Sequence, residues 1–238
     1  MRSITLLAII TFLGITPAKS QSYGYGGIGY NMSFLQSDGL DFVIGRYNDT
    51  RAYLTETMEN PRYFDGISIH FGGAQKAFLF DFGYTQQSCV VSASGVDQSG
   101  IEQQRDVKDK WNTIDIGLGV SAGASDHFSL AAGVNFGLNS EKYLTRAETP
   151  DNIGTANFAQ INKQFKFGIS PFVQFTITGE SAGLLIRPYY AWSPVKTGYY
   201  DLNAYINPYT YILDPINIEG TLKGFGLSVL FILYEYQD

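Results

Sequence analysis

The chain of 238 residues has one cysteine, two histidines and little charge, with Asp, Glu, Lys and Arg making up 16%. A single cysteine excludes an internal disulfide, and Cys89 reads as a small residue near a strand end. His70 and His127 are too far apart from each other and from Cys89 to match a zinc-ligand spacing. The 16 basic residues are outnumbered by 22 acidic ones, for a formal charge of -6. A surface so poor in cations excludes nucleic acid as a partner, because phosphate contacts need lysine and arginine. Beyond the first twenty residues there is no apolar run of about 18 or more, which excludes an α-helical membrane protein. No glycine-rich nucleotide loop follows a strand and opens a helix. Gly24-Tyr25-Gly26-Gly27-Ile28-Gly29 lies where the first strand is expected.

What is present begins with an export signal. Arg2 supplies a positive start, Ile4 to Ile15 is largely apolar, and Pro17 breaks the run. Ala18-Lys19-Ser20 puts small residues at the positions a signal peptidase reads, so cleavage is expected before Gln21. Loss of Arg2 and Lys19 takes the formal charge from -6 to -8. The expected domains are a signal peptide at 1–20 and one barrel domain at 21–238.

The full sequence is rich in aromatics, with 17 Tyr and 17 Phe, and has 26 Gly. Its dominant pattern has a period of two. From Phe128 to Leu138 every second residue is apolar, and Ser129, Ala131, Gly133, Asn135 and Gly137 lie between. Similar runs predict strands at about 24–35, 62–72, 77–90, 111–122, 127–144, 163–178, 182–198 and 221–236. Their connections alternate in length. Long ones fall at 36–61, 91–110, 145–162 and 199–220. Short ones fall at Gly73-Ala74, Gly123 to Asp126, and Gly179 to Ser181. Short periplasmic turns and long outer loops are the habit of outer-membrane barrels. The expected fold is therefore all-β: an eight-stranded antiparallel transmembrane up-and-down β-barrel with four long extracellular loops. A soluble β-sandwich is the rival and has no reason to segregate its loops.

The facing is consistent along the strands. Ile114, Ile116, Leu118 and Val120 are expected to face lipid, as are Phe225, Leu227, Val229, Phe231 and Leu233. Phe165, Phe167, Ile169, Val173, Phe175 and Ile177 form a third such set. Pro171 shares that face and removes a ladder donor, so an irregularity is expected there. Tyr63, Trp111, Trp192 and Tyr199 are expected in an outer aromatic girdle, and Phe71, Phe128 and Tyr234 in a periplasmic one.

Inward positions carry His70, Asp81, Asp115, Lys166 and Arg187. An eight-stranded interior can be filled by side chains, and buried charges must pair. Asp81 and Asp115 are expected to pair with Lys166 or Arg187 in a structural network, with an ion or proton path as the alternative. Catalytic chemistry is harder to find. His127, Ser129 and Glu141 resemble the His-x-Ser plus Glu set of outer-membrane lipid A deacylases. Ser129 and Glu141 lie on one predicted strand, however, roughly 40 Å apart at about 3.4 Å per residue, so no triad forms. Asp97, Glu102, Asp106 and Asp109 are interleaved with Arg105, Lys108 and Lys110, which reads as a solvated mixed-charge loop. Asn31-Met32-Ser33 and Asn48-Asp49-Thr50 match the glycosylation acceptor pattern without further support. No catalytic, cofactor or metal residue is expected.

The loops are the expected working surface. Arg46, Tyr47, Arg51 and Tyr53 come from the first, with Arg62 and Tyr63 at its border. Tyr199, Tyr200, Tyr205, Tyr209 and Tyr211 come from the last. Tyrosine buries broad area and keeps a hydrogen-bonding end, which suits either recognition or a self-packed cap.

Tyr25 to Tyr30, Asp126 to Leu130, Arg187-Pro188-Tyr189-Tyr190 and the closing Gly224 to Tyr236 run together resemble a small outer-membrane barrel of the OmpA-like or PorT-like class. The Gly/Tyr-rich style is similar to that of Bacteroidota. The chain departs from the usual terminal aromatic, ending Tyr234-Glu235-Tyr236-Gln237-Asp238. Cell-wall tethering is not expected, since no peptidoglycan-binding segment follows the last strand. The resemblance implies the outer membrane of a Gram-negative bacterium and insertion by the barrel-assembly machinery. Its partners would be outer-membrane lipid, lipopolysaccharide and an envelope protein complex. The expected function is non-enzymatic: structural, surface-binding or accessory. A narrow channel and a lipid-modifying enzyme are the alternatives.

Overall fold

A computed structural model of the chain describes residues 22–75, 77–125 and 127–237. The expected signal segment and Asp126 lie outside the described residues. Eight long strands carry the fold: β1 (Ser22–Gln36), β2 (Tyr63–Gln75), β3 (Phe78–Val96), β4 (Glu102–Ser125), β5 (Phe128–Glu148), β6 (Ala159–Thr178), β7 (Ala182–Trp192) and β8 (Lys223–Gln237). Each pairs antiparallel with its sequence neighbours, and β1 also pairs with β8. The pairings thus run round a barrel-like ring.

The alternation builds this ring directly. Ile114, Ile116, Leu118 and Val120 all point outward and are exposed, while Asp115 and Gly117 between them are buried. Phe165 and Phe225 are each 70% exposed on the outer surface. Strand lengths differ from expectation at the outer end. β3 continues to Val96 and β4 starts at Glu102, so the long connection expected at 91–110 is five residues, 97–101. The one at 145–162 shrinks to 149–158. The other two carry helices, α1 (Asp38–Asp49) and α2 (Tyr200–Ile206), so the outer end is not purely β.

α1 forms because Leu40, Val43, Ile44 and Tyr47 recur at helical spacing and bury one face. Asp38 and Asp41 sit in its first turn and Arg46 in its last, each matching the helix dipole. The Thr50 hydroxyl donates to the Arg46 carbonyl at 2.8 Å and closes the C-terminus. The buried face packs with Tyr143, Tyr199, Leu202, Ile206 and Ile218 to cap the ring. Full burial of Leu40, Val43 and Ile44 stabilises this cap by about 1.5–3 kcal/mol for each side chain.

At the opposite end Tyr25, Leu79, Phe172, Leu185, Leu230 and Ile232 fill the interior. Three girdle assignments are corrected by these packings. Trp111 is inward and only 5% exposed, Tyr199 is buried under the cap, and Tyr234 is inward. Tyr63, Phe71 and Trp192 are exposed as expected. Cys89 is buried inside the ring with Leu35, Phe64, Trp111 and Leu222, well before the end of its strand.

The β6–β7 seam is the sparsest ladder. Pairing occurs at Ile169–Trp192, Phe172–Tyr189 and from Phe175–Ile186 to Thr178–Gly183. Pro171 and Pro188 fall in the gaps, where each lacks an N–H to donate. The irregularity at Pro171 is a thinned ladder with unchanged register; the register shift of β6 lies against β5, at Tyr143/Leu144. Amides facing this seam are expected to exchange with deuterium faster than those between β4 and β5. Equal protection on the two ladders would contradict that reading.

Candidate functional site

Glycine and small polar residues line the inner faces, leaving room for long polar side chains to reach across the ring. His70, Asp81, Asp115, Lys166 and Arg187 are all buried inside. Arg187 on β7 donates to Asp81 on β3 at 2.7 Å and to Gln174 at 2.6 Å. Asp81 also accepts from the Tyr25 hydroxyl at 2.5 Å and lies 2.9 Å from His70 Nδ1. The guanidinium sits over the Phe172 ring, 4.6 Å from its centroid. Charge, hydrogen bonds and ring face therefore hold this group from several sides.

The other expected pairings are corrected. Lys166 donates to Glu141 and Thr197, and Tyr143 also donates to Glu141. Asp115 makes no ion pair among the described residues, and its Oδ1 has no hydrogen-bond partner there. Asp106 and Asp109 are buried rather than solvated. Asp106 pairs with Arg146, whereas both carboxylate oxygens of Asp109 lack a hydrogen-bond partner among the described residues. Asn31 lies inside the ring and donates to Ser228 at 2.6 Å, a position closed to glycan attachment. Glu141 and Ser129 are far apart in function as well as sequence: Glu141 is committed to Lys166, and Ser129 lies at the short-turn end of β5.

Between the polar layers lies a chamber of about 60 Å³, bordered by His70, Asp115, Asn135, Asn139, Arg187 and Tyr189. Such a volume holds a few water molecules. Apolar packing lies on both sides of it.

The outer end holds a larger, open feature. A cleft of about 420 Å³ is lined by Tyr47, Arg51, Tyr53, Gln103, Arg105, Glu148, Tyr205 and Tyr209, among others. It brings together five of the nine loop residues singled out in the sequence, from two separate loops. Their roles divide. Arg51 stacks over Tyr47 at 3.8 Å and donates to Ile206 O at 2.6 Å and Asn207 Oδ1 at 3.1 Å. It ties α1 to the loop after α2. Arg46 pairs with Asp214 at 3.0 Å. Tyr199 is buried and donates to Ser37 at 2.6 Å. Tyr200 meets Tyr211 edge to face, with centroids 6.1 Å apart. Tyr205 and Tyr209 remain exposed, the latter by 93%. Burial pushes the Tyr47 hydroxyl above its ordinary pKa, while Arg51 and Arg105 pull it back. Burial also raises that of Tyr199, with the charge of Glu141 adding to the effect.

Sequence reading missed Gln103, Arg105 and Glu148 as cleft residues because it placed them among solvated loop residues or left them unassigned. Their strands continue past the apolar band and form the cleft wall.

Several solved structures are similar to this chain, three of them as follows. Ail, the attachment invasion locus protein of Yersinia pestis, is 11% identical with a TM-score of 0.43, covering 90% of this chain and 99% of that one. The outer membrane protease OmpT from Escherichia coli is 9% identical with a TM-score of 0.46, covering 94% and 99%. Neisserial surface protein A is 12% identical with a TM-score of 0.32, covering 90% and 97%. No family model matches the chain, and no curated protein does.

Proposed function

We propose that this chain is an eight-stranded outer-membrane β-barrel of a Gram-negative bacterium, of the OmpA-like or PorT-like kind, that works by surface binding. Residues 1–20 direct export, and the barrel-assembly machinery inserts the mature chain among outer-membrane lipid and lipopolysaccharide. The observation that carries the reading is the exposed apolar surface running round the ring. A water-soluble monomer rarely exposes apolar patches beyond a few hundred Å². On β6 this surface runs from Phe165 to Ile177. At about 3.4 Å per residue and a tilt of about 40°, that span is roughly 30 Å high, which suits a bilayer core.

The cap and cleft then face outward, and the tyrosines Tyr53, Tyr205 and Tyr209 with Arg105 form the binding surface. The interior packing on both sides of the chamber favours this reading over a channel. A role as accessory subunit of an envelope complex uses the same outer surface.

Topology gives the test. In cells expressing Tyr209→Cys, a membrane-impermeant maleimide is expected to label the protein from outside. Glu180→Cys, on the opposite short turn, is expected to label only after the outer membrane is opened. Native Cys89 is buried and supplies the unlabelled background. Equal labelling of both variants on intact cells would sink the proposed orientation. For binding, an array of envelope saccharides and peptides is probed with the detergent-folded protein. Combined Tyr205→Ala, Tyr209→Ala and Arg105→Ala substitutions are expected to reduce any signal at least tenfold; an unchanged signal would exclude the cleft.

A further inference from the structure

The interior holds a second group of residues that surface binding does not use. His70, Asp81 and Asp115 each offer a possible ligand atom, all within 4.8 Å of one another. They come from the neighbouring strands β2, β3 and β4, where His70 and Asp115 both oppose Gly83 and Asp81 lies two residues before it. Gly83 and Gly117 make the approach possible. A Cβ on Gly83 would stand 2.6 Å from the His70 ring and 2.9 Å from Asp115 Oδ1. One on Gly117 would stand 2.5 Å from Asn135 Oδ1.

The charges do not cancel in this layer. Asp81 is neutralised by Arg187 and further satisfied by Tyr25 and His70. Asp115 is left as a buried carboxylate with no ion pair among the described residues, the nearby Arg187 being committed to Asp81. Three atoms of residues bordering this chamber lack hydrogen-bond partners among the described residues: Asp115 Oδ1, His70 Nε2 and Asn135 Oδ1. Burying such groups unpaired is costly. His70 Nδ1 lies 2.9 Å from Asp81 Oδ2 and 3.3 Å from an Arg187 nitrogen, and the shorter carboxylate contact favours a proton on Nδ1. The Nε2 lone pair is then free. A carboxylate behind a histidine whose other nitrogen is open is the arrangement that supports a metal-bound imidazole.

We infer that this layer is a site for one divalent transition-metal cation, held by His70 Nε2 and Asp115. Asp81 is a positioning residue that fixes the imidazole, and the Asn135 amide oxygen or water fills a remaining position. Mixed imidazole and oxygen ligands suit Zn²⁺ or Mn²⁺ over the all-oxygen preferences of Ca²⁺. Ligand atoms on a tetrahedral metal stand about 3.4 Å apart with bonds of about 2.1 Å, so the cluster closes on binding. With apolar packing on both sides of the chamber, the ion enters as the barrel closes and leaves slowly.

The test uses the full mature chain with a tag that lacks histidine, refolded into detergent after EDTA treatment. Zn²⁺, Mn²⁺ or Ca²⁺ alone is added during refolding or after it, and bound metal is measured by mass spectrometry. About one Zn²⁺ or Mn²⁺ per folded chain is expected, with little Ca²⁺. Asp115→Asn and His70→Gln are expected to lose it. Asp81→Asn should weaken binding by about 10–100-fold, and Asp109→Asn, in the other polar layer, should leave it unchanged. Folding of each variant is checked by its heat-dependent gel shift. Wild-type protein that binds no metal under either regime overturns the proposal without reference to any variant. So does metal retained in full by folded Asp115→Asn and His70→Gln.

Discussion

Arg187→Met is expected to lower the unfolding free energy by about 3–5 kcal/mol, the usual cost of stripping one partner from a buried ion pair. Arg187 is almost fully buried, and it holds Asp81, Gln174 and Tyr25 at once. Without it the Asp81 carboxylate keeps only His70 and Tyr25 as partners, and the few waters the chamber can hold supply no counter-charge. The variant keeps a long apolar stem over Phe172, so the loss reports charge and hydrogen bonds more than volume. Combining it with Asp81→Asn removes both charges and is expected to recover most of the loss. Guanidinium unfolding in detergent, followed by tryptophan fluorescence, measures both. A loss below about 1 kcal/mol for the single variant would be typical of an exposed pair and would show that this cross-ring contact does not hold the barrel.

The strands and their facing were legible in the sequence because a period of two leaves a direct mark. The five inward polar residues were legible for the same reason. Their partners were not. Arg187 and Asp81 belong to β7 and β3 and meet across the interior, a relation no local spacing encodes. Lys166 finds Glu141 through the register of neighbouring strands, in which Asn139 opposes Lys166 and Glu141 lies two residues on. Reading Glu141 only as a possible catalytic residue concealed that structural role.

Two of the three errors about aromatics were avoidable by counting. Trp111 shares its parity with Asp115 and Gly117, and Tyr234 shares its own with Gly226 and Ser228, so both belong inside. Aromatic composition near a strand end does not distinguish girdle from lumen, but parity does. Strand length was a different problem. Above the apolar band the outward residues of β4 become Lys108, Lys110 and Asn112, so the greasy alternation stops while the hydrogen-bonded ladder continues. The cap was hidden by the opposite habit, that of treating a long connection as irregular. The i, i+3, i+4, i+7 spacing of Leu40, Val43, Ile44 and Tyr47 was available and marks α1. The cleft depends on the packing of separate loops, so its members could be suspected individually but not assembled.

Lys166→Met is expected to produce the second large loss, also about 3–5 kcal/mol, with a different structural signature. Its amine lies between Glu141 and Thr197, and Asp109 is buried close by with no hydrogen-bond partner among the described residues. Removing the ammonium leaves two buried carboxylates facing each other without a counter-charge. It also releases Thr197, whose short strand Thr197–Gly198 pairs with Glu219–Gly220 in the cap. The cap should therefore loosen before the ring unfolds. Limited proteolysis is expected to cut within residues 193–222 at denaturant concentrations where β1 to β6 remain protected. Asp109→Asn acts in the opposite direction, because it removes one negative charge while Lys166 and Glu141 stay paired. It is expected to stabilise the protein, and in combination with Lys166→Met it should recover part of the loss. Cap and ring that unfold together in Lys166→Met at the wild-type midpoint would show that this polar layer neither holds charge balance nor links the outer cap to the barrel.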